Sequence, residues 1–142
     1  MTTRSGFDFR HAFPRILPAL AFYGLIVFLS SLRRIPLNAA FPESDKLAHF
    51  AVFSAFGVLL AFGVFPACGR LARTRIGLIW LAGAIGGILD ELHQLFVPGR
   101  SCDAWDAAAD ALGVALGLAL FLAWRRHRRR AFRPPEASPP AS

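Results

Sequence analysis

Residues 83–117 read GAIGGILDELHQLFVPGRSCDAWDAAADALGVALG, from Gly83 to Gly117. Two apolar, glycine-studded segments flank a short run that holds five carboxylates (Asp90, Glu91, Asp103, Asp106 and Asp110) together with His93, Gln94 and Arg100. The apolar sequence on either side is long enough to be membrane. Ionisable groups at such a depth are costly to keep and mark a functional site by default.

The chain has 142 residues, one domain at most. Apolar residues make up 55% and charged residues 18%, far from the balance of a soluble globular domain. Arginine supplies 15 of the 16 basic residues, and Lys46 is the only lysine. The formal charge of +7 does not read as a nucleic-acid surface, because the arginines do not interleave with aromatics. They sit in short clusters between apolar runs, the pattern of membrane topology signals. No nucleic-acid partner is expected; membrane lipid is. Two cysteines, Cys68 and Cys102, form neither a framework nor a CxxC pair.

Residues 1–15 read as a polar, basic tail. Ile16 to Leu32 is 17 residues without formal charge, closed by Arg33 and Arg34, and sits at the lower limit for crossing about 30 Å of hydrocarbon. The competing reading is a signal peptide with a weak cleavage site at Asn38-Ala39-Ala40. The run is longer than a usual signal core and two arginines intervene, so an uncleaved first span is expected. A Pro-containing loop follows, and Ser44 is placed to cap a helix opening at Asp45 or Lys46. Leu47 to Phe65 is the second span, and Pro66 to Arg75 a basic loop. Ile76 to Leu89 is too short to cross alone, so the third span must continue through Asp90 to Val97. That puts Asp90, Glu91, His93 and Gln94 inside the outer part of the bilayer. Pro98-Gly99 ends it. The fourth span runs from Trp105 to Trp124, whose indoles mark two interfaces. Arg125 to Arg133 is a basic stop, and PPEASPP reads as disordered.

The expected fold class is therefore all-α: a polytopic membrane protein of four transmembrane helices in a bundle, residues 16–124, with tails at 1–15 and 125–142. One side holds 12 arginines, from the N-terminal tail, the 66–75 loop and the C-terminal tail; the other holds Arg33, Arg34, Lys46 and Arg100. Enrichment of Lys and Arg in cytoplasmic segments puts both termini in the cytoplasm of an inner-membrane protein. Seven of the nine acidic residues fall on the opposite, periplasmic side or in its half of the membrane.

With these residues placed, the chain resembles the VanZ-like membrane proteins. The pattern appears as Asp45-Lys46-Leu47-Ala48-His49-Phe50, then Glu91-Leu92-His93-Gln94, then Pro98-Gly99-Arg100, and finally Asp106 and Asp110 ahead of Gly113. Asp110 stands where the family often has Asn. The resemblance implies an inner-membrane protein of the cell envelope, in a family named for a protein associated with low-level resistance to the glycopeptide teicoplanin. It supplies no reaction.

On helices, Asp45 and His49 share a face, as do Asp90 with His93 and Gln94, Glu91 with Gln94, and Asp103 with Asp106 and Asp110. The expected ligand-binding set is Asp45, Lys46, His49, Asp90, Glu91, Gln94, Arg100, Asp106 and Asp110, meeting at one depth. It admits three readings. One is a site for an envelope or lipid-linked ligand, with Arg100, Lys46 and His49 meeting anionic groups. The second is a membrane hydrolase or transferase using His49, Glu91, His93 and Asp106, in which a divalent metal such as zinc or manganese suits the ligand types. No HExxH is present, and no cofactor is assigned. The third is a structural network with Arg100 and Lys46 tied to the carboxylates. An enzyme should bring both histidines and at least two carboxylates around a cavity; a scaffold should tie Arg100 and Lys46 down and leave none. Gly83 with Gly87, and Gly113 with Gly117, read as faces for close helix packing.

Overall fold

The structure, a computed structural model, describes residues 9–32, 44–65 and 73–131. These form four helices: α1 Phe9–Ser30, α2 Ser44–Val64, α3 Arg73–Gln94 and α4 Ala104–Ala131, with no strand among the described residues. Each is long and apolar enough to cross a membrane. Expectations for residues 1–8, for the 33–43 and 66–72 connections (with Arg33, Arg34, the Asn38 cleavage motif and Cys68), and for the proline-rich tail from 132 lie outside the described residues.

Helix boundaries depart from the expected spans where charge was used to end a helix. α1 begins at Phe9, ahead of Ile16, and carries Pro14 and Pro18 inside it. α4 continues seven residues past Trp124, through the arginines to Ala131. Charge ends a hydrocarbon crossing, but the backbone hydrogen-bond ladder can continue beyond it. α3 instead stops at Gln94, short of Val97, because two tightened turns follow, Phe96 N to His93 O and Val97 N to Gln94 O, both 3.0 Å. The Arg100 amide then bonds to the Val97 carbonyl at 3.1 Å across Pro98 and Gly99. Gly99 has φ +85°. Pro at the second position and a positive-φ glycine at the third make this a type II turn.

α2 and α4 are the central pair. A methyl on Gly113 or Gly117 would fall on the Phe50 or Ser54 carbonyl, and one on Gly57 would lie 2.6 Å from the Val114 carbonyl oxygen. These three glycines let the two backbones touch, so dispersion contacts act over the whole seam. α1 packs on α2 and α3 and not on α4, and α3 touches the other three. The apolar core runs through Phe53, Phe56, Leu60, Ala61, Phe65, Ile79, Val114, Leu118 and Phe121. Tyr23 stacks on Phe56 at 5.3 Å and donates its hydroxyl to the Gly86 carbonyl at 2.9 Å, which fixes α1 to α3. At the far end of the bundle Arg125 is buried over the Phe65 ring.

Candidate functional site

At one end of the bundle α1 and α3 finish and α2 and α4 begin, and the polar residues gather there. Asp90, Glu91, Gln94, Asp106 and Asp110 are all at most 3% exposed. They come from two helices, and α2 adds Asp45, Lys46 and His49.

Asp103 organises the loop between α3 and α4. Its Oδ1 accepts the Trp105 amide at 2.9 Å, capping α4, and its carbonyl accepts the Asp106 amide. Its own amide donates to Glu91 Oε2 at 2.8 Å, and its Oδ2 accepts Lys46 Nζ at 3.1 Å. The Trp105 amide and then the Lys46 ammonium favour the ionised form and hold the Asp103 carboxyl below the ordinary aspartate range. Lys46 Nζ also lies 3.5 Å from Asp106 Oδ1. One side chain thus joins α2 to the start of α4.

Deeper in, His49 meets the other two helices. Its Nδ1 is 3.0 Å from Asp110 Oδ1 and 3.9 Å from Glu91 Oε1. With Asp110 ionised, Nδ1 carries the shared proton and the carboxylate accepts. Gln94 Nε2 donates to Glu91 Oε1 at 3.2 Å and to Asp90 Oδ2 at 3.4 Å. Gly87 makes room for Asp110, since a methyl there would lie 2.6 Å from Asp110 Cβ. Several acceptors remain without a hydrogen bond although buried: Asp90 Oδ1, Asp106 Oδ1 and Asp110 Oδ2. Two trios, His49 with Glu91 and Asp110, and His49 with Asp45 and Asp106, each hold three donor atoms within 4.8 Å of one another, close enough to hold a metal ion.

Beside this group lies a cavity of about 170 Å³. Its polar wall is Ser30, Asp45, His49, Asp90, Gln94 and Arg100, and its apolar wall includes Ile26, Leu29, Val52 and Phe53. The Nε of Arg100 is buried with no hydrogen-bond partner among the described residues.

The structure brings together Asp45, Lys46, His49, Asp90, Glu91, Gln94, Asp106 and Asp110, and puts Arg100 on the cavity wall. His93 stands apart from the His49 group: its Nε2 lies 2.8 Å from Ser31 Oγ, and it belongs to neither trio. The arrangement is neither of the two pictures drawn from sequence. One histidine has carboxylates and a cavity, as an enzyme would. Lys46 is tied to carboxylates, as a scaffold would have it, but a cavity is present. Sequence reasoning also missed the side chain that α1 brings to this site. Ser30 Oγ donates to Asp90 Oδ2 at 3.1 Å, and the Ser30-Ser31 pair closing an otherwise apolar run was the available signal.

The family model described as VanZ/LLP1 matches residues 5–125. The chain belongs to the VanZ/LLP1 family. The match takes in α1 to α3 and α4 as far as Arg125, so this VanZ/LLP1 chain is a membrane protein with its polar end inside the matched region. No curated protein and no solved structure matches it.

Proposed function

We propose that this VanZ/LLP1 protein sits in the inner membrane with both termini in the cytoplasm, and that its polar end faces the periplasm and takes the anionic headgroup of an envelope or lipid-linked molecule. The single observation that carries the reading is the cavity lined both by Arg100 and by the apolar side chains of Ile26, Leu29, Val52 and Phe53. A charged donor whose buried Nε lacks a partner favours an anion, since burying such a group uncompensated is costly. The adjoining apolar wall suits the first methylenes of a lipid chain. The distribution of arginine supports the orientation.

Native mass spectrometry of the protein released from its own membranes tests this. The wild type should carry an anionic lipid or lipid-linked phosphate that Arg100→Gln loses. Equal amounts of the same lipids on both would refute the reading.

A second reading, a membrane hydrolase or transferase, is favoured by one feature. His49 lies on the cavity wall and is oriented by Asp110 at 3.0 Å, the geometry by which a carboxylate holds a general base. Turnover of a phosphorylated lipid by the wild type but not by His49→Gln would select it.

A further inference from the structure

The His49, Glu91 and Asp110 group has a property that anion binding leaves unexplained. Glu91 and Asp110 are 2% and 0% exposed, and Asp106 and Asp90 are buried beside them. Lys46 is engaged with Asp103 and Asp106. Buried like charges need a compensating cation or a proton. Asp110 Oδ2 adds a buried acceptor with no hydrogen-bond partner.

We propose that His49, Glu91 and Asp110 form a binding site for a divalent transition cation of the zinc or manganese class, one donor from each of α2, α3 and α4. One imidazole nitrogen and two carboxylate oxygens suit such ions. Donors about 2.1 Å from a metal stand roughly 3.0 to 4.0 Å apart at bond angles between about 90° and 140°. Nδ1 is 3.0 Å from Asp110 Oδ1 and 3.9 Å from Glu91 Oε1. The outer contacts also fit: Gln94 and the Asp103 amide orient the two oxygens of Glu91, as partners of metal-bound carboxylates do. The other trio, Asp45, His49 and Asp106, is disfavoured because the Lys46 ammonium already lies 3.5 Å from Asp106 Oδ1. Three protein donors leave coordination positions open, and His49 borders the cavity. The cation site does not depend on the headgroup reading; either can hold without the other.

The test uses the full chain in detergent, purified on a tag without histidine, stripped with a chelator and titrated with zinc or manganese. Wild type should retain one equivalent per chain after gel filtration and unfold at a higher temperature with metal than without. Glu91→Gln and Asp110→Asn should bind at least about tenfold more weakly, and Gln94→Leu about 10- to 100-fold more weakly. Asp45→Asn and His93→Ala should bind as wild type. No retained metal in the wild type would overturn the proposal and leave the proton as the compensating charge. Loss of binding in Asp45→Asn or His93→Ala, with Glu91→Gln unaffected, would overturn it too. Should the site variants fail to fold, X-ray absorption of the zinc-loaded wild type decides. One imidazole with oxygen donors is expected; two or more imidazoles, or sulfur, would refute it.

Discussion

Gly57→Ala adds one methyl to the α2–α4 seam, and its effect follows from distances. The new Cβ would lie 2.6 Å from the Val114 carbonyl oxygen and 2.9 Å from Val114 Cα, both backbone atoms that cannot rotate away. Ordinary contact starts at 3.4 Å, so the helices must part by roughly 0.8 Å there, which weakens the dispersion contacts of the seam. In a soluble helix, glycine to alanine gains up to about 1 kcal/mol of propensity. In a bilayer the helix persists when the bundle comes apart, because lipid offers its backbone no other partners. That gain therefore largely cancels between the two states. Overpacking, about 1–3 kcal/mol, decides the sign. Gly24 and Gly77 have nothing within 4 Å of the added methyl, so Gly24→Ala and Gly77→Ala should be near neutral. The assay is unfolding in mixed micelles on titration with SDS, followed by tryptophan fluorescence. Gly57→Ala and Gly113→Ala should unfold at clearly lower SDS than the two controls. Equal stability of all four would refute the close-packed seam. The site should suffer in parallel, since parting α2 from α4 carries His49 away from Asp110, and 3.0 Å leaves little room before the bond is lost.

Tyr23→Phe removes the hydroxyl that α1 donates to the Gly86 carbonyl and should cost about 1 kcal/mol in the same titration. Phe53→Ala empties a position 1% exposed in the core and should cost about 1–3 kcal/mol, the cavity part of the soluble-protein cost, since separated helices in detergent keep the ring out of water. The Asp103 clamp should respond to pH in a set direction. Its carboxyl is held below the ordinary value, so its stabilisation is present at neutral pH and is lost as pH falls through the lowered value. The thermal stability of wild type should therefore exceed that of Asp103→Asn at pH 7, with the gap closing as the pH falls below the ordinary aspartate range. For orientation, a reporter active only in the periplasm should be silent when fused after Phe132 and active when fused within the 38–42 loop; the reverse would invert the proposed topology.

The four crossings were legible because apolar runs of membrane length are a strong signal, and α2 starts at Ser44, next to the expected opening at Asp45 or Lys46. The gathering at one end was legible too: Asp45, Glu91 and Asp106 all sit at helix ends that a four-span chain must bring to the same side. What stayed hidden was pairing. Sequence left open whether Arg100 ties down carboxylates or meets a ligand; the type II turn at Pro98-Gly99 sets it on the cavity wall, together with Asp45 and Asp90. His93 follows Glu91 by two residues, which on a helix turns it to another face, toward Ser31. Ser30 and Tyr23 were passed over because hydropathy hides single hydroxyls within an apolar run. Helical periodicity gives the face of a residue on its own helix; the rotation of each helix against its neighbours is set by contacts such as those of Gly57, Gly113 and Gly117.

The central claim is that α2, α3 and α4 deliver His49, Glu91 and Asp110 to one point, and a double-mutant cycle on stability tests it most directly. His49→Gln and Asp110→Asn, alone and together, should show a coupling of about 0.5–3 kcal/mol, as contacting residues do. His93→Gln with Asp110→Asn should be additive within about 0.5 kcal/mol. Additivity in the first pair, or equal coupling in both, would contradict the account.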